Sequence, residues 1–253
     1  MSNNLLKNSG NLYRSNNSMV LVKICGITNV EDAQLAVTAG ADLLGLIFVS
    51  KSSRCVNVKQ AQEIVHSFKL HRQVAMASDN VLTQISQRRP HFVGVFQNAT
   101  AEEMNAIADT VGLDLIQLHG DEPPELPLSL NRPAVRAIGI HPDQQRPAAE
   151  IYRNDIEPHL KHAAIILLDT KSSQGFGGLG EHFDWSIGGQ LQRDYKIPFI
   201  LAGGLKSSNV VEAIRLGMPI GVDVASGVEQ RPGIKDPKEV VAFIQAAKSM
   251  SEK

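Results

Sequence analysis

Two reactive side chains end apolar, β-rich runs in this sequence: the thiol of Cys25 in Val22-Lys23-Ile24-Cys25-Gly26 and the carboxylate of Asp169 in Leu167-Leu168-Asp169-Thr170. Side chains alternate along a strand, so Lys23 and Cys25 share one face while Ile24 takes the other. A lysine on an inward face is costly unless paired. Asp223, in Gly221-Val222-Asp223-Val224, supplies the partner if the last strand closes against the first, which predicts a Lys23–Asp223 ion pair just below Cys25. From composition alone Cys25 reads as a small buried hydrophobe and Asp169 as a turn cap. The strand-end position beside a lysine moves Cys25 toward a functional thiol.

Other residues at run ends suit anion binding. Gly203-Gly204 follows Leu201-Ala202, and Ser226-Gly227 follows Val224-Ala225. Glycines in both loops let backbone N–H groups approach a phosphate. Arg54, in Lys51-Ser52-Ser53-Arg54, is either solvated surface or a clamp that holds a carboxylate by two parallel hydrogen bonds. His119 ends Gln117-Leu118-His119-Gly120, where a hydrogen-bonded turn residue is the plainer reading. The remaining histidines have no metal-ligand spacing.

These residues need a scaffold that gathers strand ends. From Val20 onward, eight short runs alternate with amphipathic stretches: Val20-Ile24, Leu43-Phe48, Phe92-Phe96, Leu115-Leu118, Val135-Ile140, Ala164-Leu168, Phe199-Ala202 and Gly221-Val224. This is the pattern of a parallel sheet with helices outside. Eight such units within 253 residues predict a single α/β domain over residues 19–253, a (β/α)8 TIM barrel whose site lies at the C-terminal strand ends. Thr28 with Glu31, and Asn209 with Glu212, are spaced as capping boxes. Asp236-Pro237 with Glu239 places a cap, a first-turn proline and an N3 acid in register. The Asn- and Ser-rich residues 1–18 read as a disordered polar arm. Lys69–Arg89 is a polar segment of undetermined form. Thr170–Asp184, with Gly175, Gly177, Gly178 and Gly180, reads as a mobile lid.

Composition narrows the function. With 25 Lys+Arg against 26 Asp+Glu, the formal charge of -1 argues against nucleic acid as a partner. The longest apolar run, Ala163–Leu168, is too short to cross a membrane. Two cysteines and no signal segment fit a reducing, cytoplasmic location.

In their order along the chain, Val22-Lys23-Ile24-Cys25-Gly26-Ile27-Thr28, Gln117-Leu118-His119-Gly120-Asp121-Glu122, Leu168-Asp169-Thr170, Leu201-Ala202-Gly203-Gly204-Leu205 and Gly221-Val222-Asp223-Val224-Ala225-Ser226-Gly227-Val228-Glu229 resemble the phosphoribosylanthranilate isomerase family of tryptophan biosynthesis. The resemblance implies a phosphosugar substrate and an Amadori rearrangement of N-(5-phosphoribosyl)anthranilate to 1-(2-carboxyphenylamino)-1-deoxyribulose 5-phosphate. It implies Asp169 as general acid and Cys25 as general base. Arg54 then holds the anthranilate carboxylate, the loops at Gly203-Gly204 and Ser226-Gly227 hold the phosphate, and Lys23, His119 and Asp223 support them. No cofactor and no metal are implied, because the substrate's anilino nitrogen relays the electrons. Fusion or association with another tryptophan-pathway enzyme is a further expectation. Leu179 and Glu181 depart from the family's Gly-rich segment, and Val49, Ser50 and Ser53 from its Arg-bearing loop.

For these roles Cys25 must be favoured as thiolate, which Lys23 is placed to do, and Asp169 as neutral carboxyl, which enclosure under the lid would do. Two rivals stand beside this reading: another phosphosugar barrel, such as an epimerase or synthase, and a non-catalytic barrel that only binds a phosphorylated metabolite.

Overall fold

The computed structural model describes residues 20–68, 82, 85, 90–143, 145–172, 175–176 and 182–251. The strands are β1 (Leu21–Cys25), β2 (Leu43–Ile47), β3 (His91–Phe96), β4 (Leu115–Leu118), β5 (Ala134–Ile140), β6 (Ile165–Ser172), β7 (Gly175–Phe176), β8 (Phe199–Leu201), β9 (Gly221–Val224), β10 (Glu229–Arg231) and β11 (Ile234–Lys235). Eight of them form one parallel sheet in the order β5-β4-β3-β2-β1-β9-β8-β6. Pairing of β5 with β6, from Val135↔Ile165 to Ile140↔Thr170, closes it into the predicted barrel. β7 lies antiparallel to the end of β6, and β10 pairs antiparallel with β11.

Between the strands run α1 (Val30–Ala39), α2 (Val58–His66), α3 (Ala101–Val111), α4 (Ala148–Ile151), α5 (Glu157–Leu160), α6 (Ser186–Tyr195), α7 (Val210–Gly217) and α8 (Pro237–Lys248). A π-helical turn, Tyr152–Ile156, joins α4 to α5. Strand alternation divides the apolar residues into two layers. Leu21, Leu43, Val93, Leu115 and Leu167 fill the inside, where Ile85 joins them. Val22, Ile24, Phe92 and Leu168 face outward into the helix layer with Met104 and Phe243.

A short motif stops a helix and pins a strand, and it occurs twice. Gly40 and Gly112 end α1 and α3 in the left-handed conformation. Two residues later Asp42 and Asp114 accept the N–H of Val22 (2.7 Å) and of Phe92 (2.8 Å) at the neighbouring strand. Lys248 at the end of α8 donates to Asp42 and to the Val20 carbonyl, which ties the last helix under the first strand.

Several local expectations need correction. α1 is capped by Asn29, which accepts from Asp32 N, and not by a Thr28–Glu31 box. The Thr28 hydroxyl instead donates to the Gly233 carbonyl, a tertiary contact that outcompetes the local cap. The Asn209 side chain makes no helix cap either: it accepts from Lys206 N and donates to Gly204 O, bracing the loop after β8. The Asp236 cap forms as read, accepting from Lys238 N and Glu239 N. β6 runs on through Asp169 to Ser172, because β5 and then β7 supply partners. The polar arm and most of Lys69–Arg89 lie outside the described residues.

Because Asp42 is fully buried, Asp42→Ala removes the acceptor of a strand N–H and the carboxylate paired with Lys248, and should destabilise the barrel by about 1–3 kcal/mol. Urea denaturation checks this: a lowered midpoint at unchanged m-value is expected, and a wild-type midpoint would contradict it.

Candidate active site

The C-terminal strand ends enclose a cavity of about 610 Å³. Cys25, Arg54, His119, Asp169, Gly203, Gly204, Asp223, Ser226 and Gly227 all line it. Period-two alternation explains the gathering: Cys25, Gln117, Asp169 and Asp223 take the inward positions of β1, β4, β6 and β9, and the outward neighbours Ile24, Leu118, Leu168 and Val224 pack in the helix layer.

Lys23 and Asp223 are register partners on β1 and β9, and Lys23 Nζ donates to Asp223 Oδ2 at 2.9 Å. The ion pair expected from strand adjacency is therefore present, with both side chains buried. Burial alone would lower the Lys23 pKa, yet Asp223 and Cys25 together outweigh it and hold the ammonium above the ordinary lysine value. Cys25 behaves differently. Burial pushes its thiol pKa up, and the opposing pull of Lys23 is too small to reverse this, aided as burial is by the Asp223 charge. Lys23 thus pulls the thiol toward thiolate as expected from the sequence, with burial acting against it as the larger effect. Gly45 sits opposite Cys25 in the register, and a Cβ there would lie 2.6 Å from Cys25 Sγ.

Asp169 Oδ1 accepts the N–H of Thr170 at 2.8 Å, and His119 Nε2 lies 3.2 Å from Asp169 Oδ2. The Gln117 amide holds the other ring nitrogen of His119, Nδ1, at 2.8 Å. Gln117 was missed in the sequence, although its spacing of two from His119 was the signal that both face inward. The loops after β8 and β9 meet at the wall formed by Gly203, Gly204, Ser226 and Gly227. Gly203 takes φ +86°, with Thr170 where a Cβ would be, and a Cβ at Gly227 would overlap the Leu205 carbonyl.

Arg54 is not solvated surface. Its Nε shares Glu229 Oε1 (2.9 Å) and Oε2 (3.1 Å), and Nη2 donates to Oε2 at 2.7 Å. Part of the guanidinium fork is thereby committed inside the protein, and Nη1 and one Nη2 hydrogen remain for a ligand. Glu229 also accepts from Lys235 Nζ at 2.9 Å, and Lys235 is buried. Of the glycines read as a lid, Gly175 pairs in β7 against β6, and Gly177, Gly178 and Gly180 lie outside the described residues. Among the described residues no cluster of three or more His, Cys, Asp or Glu is placed to hold a metal ion, and no helix is long and apolar enough to cross a membrane.

The model of the N-(5'-phosphoribosyl)anthranilate isomerase family matches residues 22–88 and 68–246. The chain belongs to that family. The N-(5'-phosphoribosyl)anthranilate isomerase of Pseudomonas syringae pv. tomato is 41% identical over 230 residues, which cover 90% of this chain and 98% of that protein. A Phytophthora nicotianae protein named tryptophan biosynthesis protein TRP1 is 39% identical over 90% of this chain, which spans only 47% of that longer relative. A solved phosphoribosyl anthranilate isomerase in complex with reduced 1-(o-carboxyphenylamino)-1-deoxyribulose 5-phosphate is 33% identical, with a TM-score of 0.71 over 91% of this chain and 100% of that one. The barrel, the isomerase class and the place in tryptophan biosynthesis expected from the sequence all stand with this membership.

The contact between Gly45 and Cys25 yields a prediction. In Gly45→Ala the added methyl must displace the thiol or the strand, so stability should fall by about 1–3 kcal/mol, the usual range for overpacking. Isomerase activity per folded molecule should fall with it. Unchanged activity and melting temperature would show that the strands have slack at this point.

Proposed function

We propose that this chain converts N-(5'-phosphoribosyl)anthranilate to 1-(2-carboxyphenylamino)-1-deoxyribulose 5-phosphate, with Asp169 as general acid and Cys25 as general base. The observation that carries this reading is the meeting of thiol, carboxyl, arginine and two glycine loops in one cavity of a family member. Asp169 protonates the furanose ring oxygen, the C1–O bond breaks, and the anilino nitrogen lone pair forms an iminium. The Cys25 thiolate then removes the C2 proton. The C–H electrons become a C1–C2 double bond and neutralise the iminium, and the enolamine tautomerises to the ketone. The protein supplies only proton transfers, since the nitrogen carries the electron pair.

Arg54, oriented by Glu229, presents its remaining donors to the anthranilate carboxylate. Backbone N–H groups of the Gly203-Gly204 and Ser226-Gly227 loops receive the phosphate. His119, fixed by Gln117, steadies Asp169. Among the described residues no cluster of metal ligands forms, and Lys23 and Lys235 are each committed to a carboxylate, which favours the thiol–carboxyl pair over the rival epimerase or synthase chemistry. A cytoplasmic location keeps both free cysteines reduced. Association with another tryptophan-pathway enzyme, by fusion or contact, has its support in the longer Phytophthora relative.

Cys25→Ala and Asp169→Asn should each lower turnover at least ~100-fold, the scale of a positioned acid or base, with substrate binding little changed. Because Cys25 acts as thiolate, against the upward push of burial on its thiol, and Asp169 as neutral carboxyl, kcat/KM should be bell-shaped in pH, with the acidic limb lost when Cys25 is replaced and the basic limb lost in Asp169→Asn. A steady-state pH profile in the two variants and the parent checks both statements. Near-normal turnover in either variant, or a limb that persists after its group is removed, would contradict the mechanism.

A further inference from the structure

We propose that Lys235 is a positioning residue for the chemistry at Cys25: its ammonium, oriented by Glu229, clamps the Cys25 carbonyl and links the thiol's strand end to Arg54. Lys235 lies on the β10–β11 hairpin outside the barrel sheet, yet Nζ reaches Cys25 O at 2.6 Å, Ala225 O at 3.1 Å and Glu229 Oε1 at 2.9 Å. An ammonium has three donors, and all three are used. Two of the acceptors are the carbonyls where β1 and β9 end, so one side chain sets the separation of the strand ends that present Cys25 and the Ser226-Gly227 loop. The hairpin is itself anchored, with Lys235 N donating to Asp32 Oδ2 and Gly233 N to Glu229 Oε1.

The third acceptor, Glu229, holds Arg54 as well. A continuous chain of contacts therefore runs from the Cys25 backbone through Lys235 and Glu229 to the guanidinium. Among the described residues, the charged groups around Cys25 are Lys23 on its own strand, Asp223 from β9, Lys235 from β11 and Arg54 after β2, with Lys51, Asp169 and His119 in the same cavity. Lys23 is neutralised by Asp223 in one direct pair, and Lys235 by Glu229, which it shares with Arg54. Removing the Lys235 charge, or removing the Glu229 charge that offsets it, should therefore move the Cys25 titration in opposite directions.

This inference rests on the reading of Cys25 as the base, and alkylation of Cys25 tests it without requiring turnover. In a Cys55→Ser background, which removes the other thiol, the rate of iodoacetamide alkylation is followed against pH beside steady-state kinetics. Lys235→Met should move the alkylation midpoint to higher pH and lower kcat ~10- to 100-fold, the scale expected when a reacting group is displaced. Glu229→Gln should move the midpoint to lower pH and raise KM by loosening Arg54. A Lys235→Met protein with the parent alkylation profile and the parent kcat per folded molecule would reduce Lys235 to a structural role and overturn the proposal. If Lys235→Met does not fold, an unmoved midpoint in Glu229→Gln overturns it equally. A moved midpoint together with full turnover in Cys25→Ala would sink the base assignment alone.

Discussion

β1 and β9, the first and last strands of the barrel in chain order, lie side by side, and the Lys23–Asp223 pair spans their junction from the inside. Leu21 faces Gly221 in the same register, where the missing side chain lets β9 approach β1: a Cβ on Gly221 would stand 2.8 Å from that of Leu21. A buried ammonium with its partner removed costs about 3–5 kcal/mol, so slippage of one strand past the other is heavily penalised. Every other feature of the site depends on this register. Cys25, the next inward residue of β1, stands opposite Gly45 of β2 on one side, and the end of β9 carries Ser226 and Gly227 to the mouth on the other.

Above that layer the β10–β11 hairpin adds a second set of charges. Glu229 has a carboxyl held below the ordinary glutamate value: burial would raise it, but hydrogen bonds from Arg54 and Lys235 win. The hydrogen bonds to Glu229 in turn push the Arg54 guanidinium pKa above its ordinary value. The Arg54 fork is thus oriented by Glu229 at the cavity wall, and in the proposed role as carboxylate clamp this limits the ordering cost of binding. Cys25 sits between these two charged layers and is nevertheless pushed toward its neutral form by burial. Lys23 and Lys235 oppose that push, so the thiol's readiness to give up its proton is set by the balance between burial and the two ammonium groups.

How far the sequence could be read depended on how local each signal was. Alternation along strands is local, and it placed Cys25, Asp169 and Asp223 on inward faces. The Lys23–Asp223 pair was legible because closure of a barrel joins first to last. Lys235 was not, because its acceptor at Cys25 lies 210 residues away and the hairpin that carries it falls outside the alternation of strands and helices. Thr28 misled for the same reason, its hydroxyl being drawn to Gly233 across the fold. The Cys25 titration needed magnitudes: residue types alone suggested a cation beside a thiol, and only the packing shows burial to be the larger effect.

The division of labour between Cys25 and Asp169 is the central claim, and a deuterium isotope effect tests it most directly. Substrate deuterated at ribose C2 is compared with unlabelled substrate in single turnovers of Cys25→Ser and Asp169→Asn. If Cys25 removes the C2 proton, weakening it makes that step limiting, and a full primary isotope effect should appear. If Asp169 opens the ring, weakening it makes the earlier step limiting, and the effect should vanish. An isotope effect expressed in Asp169→Asn and absent in Cys25→Ser would contradict the assignment.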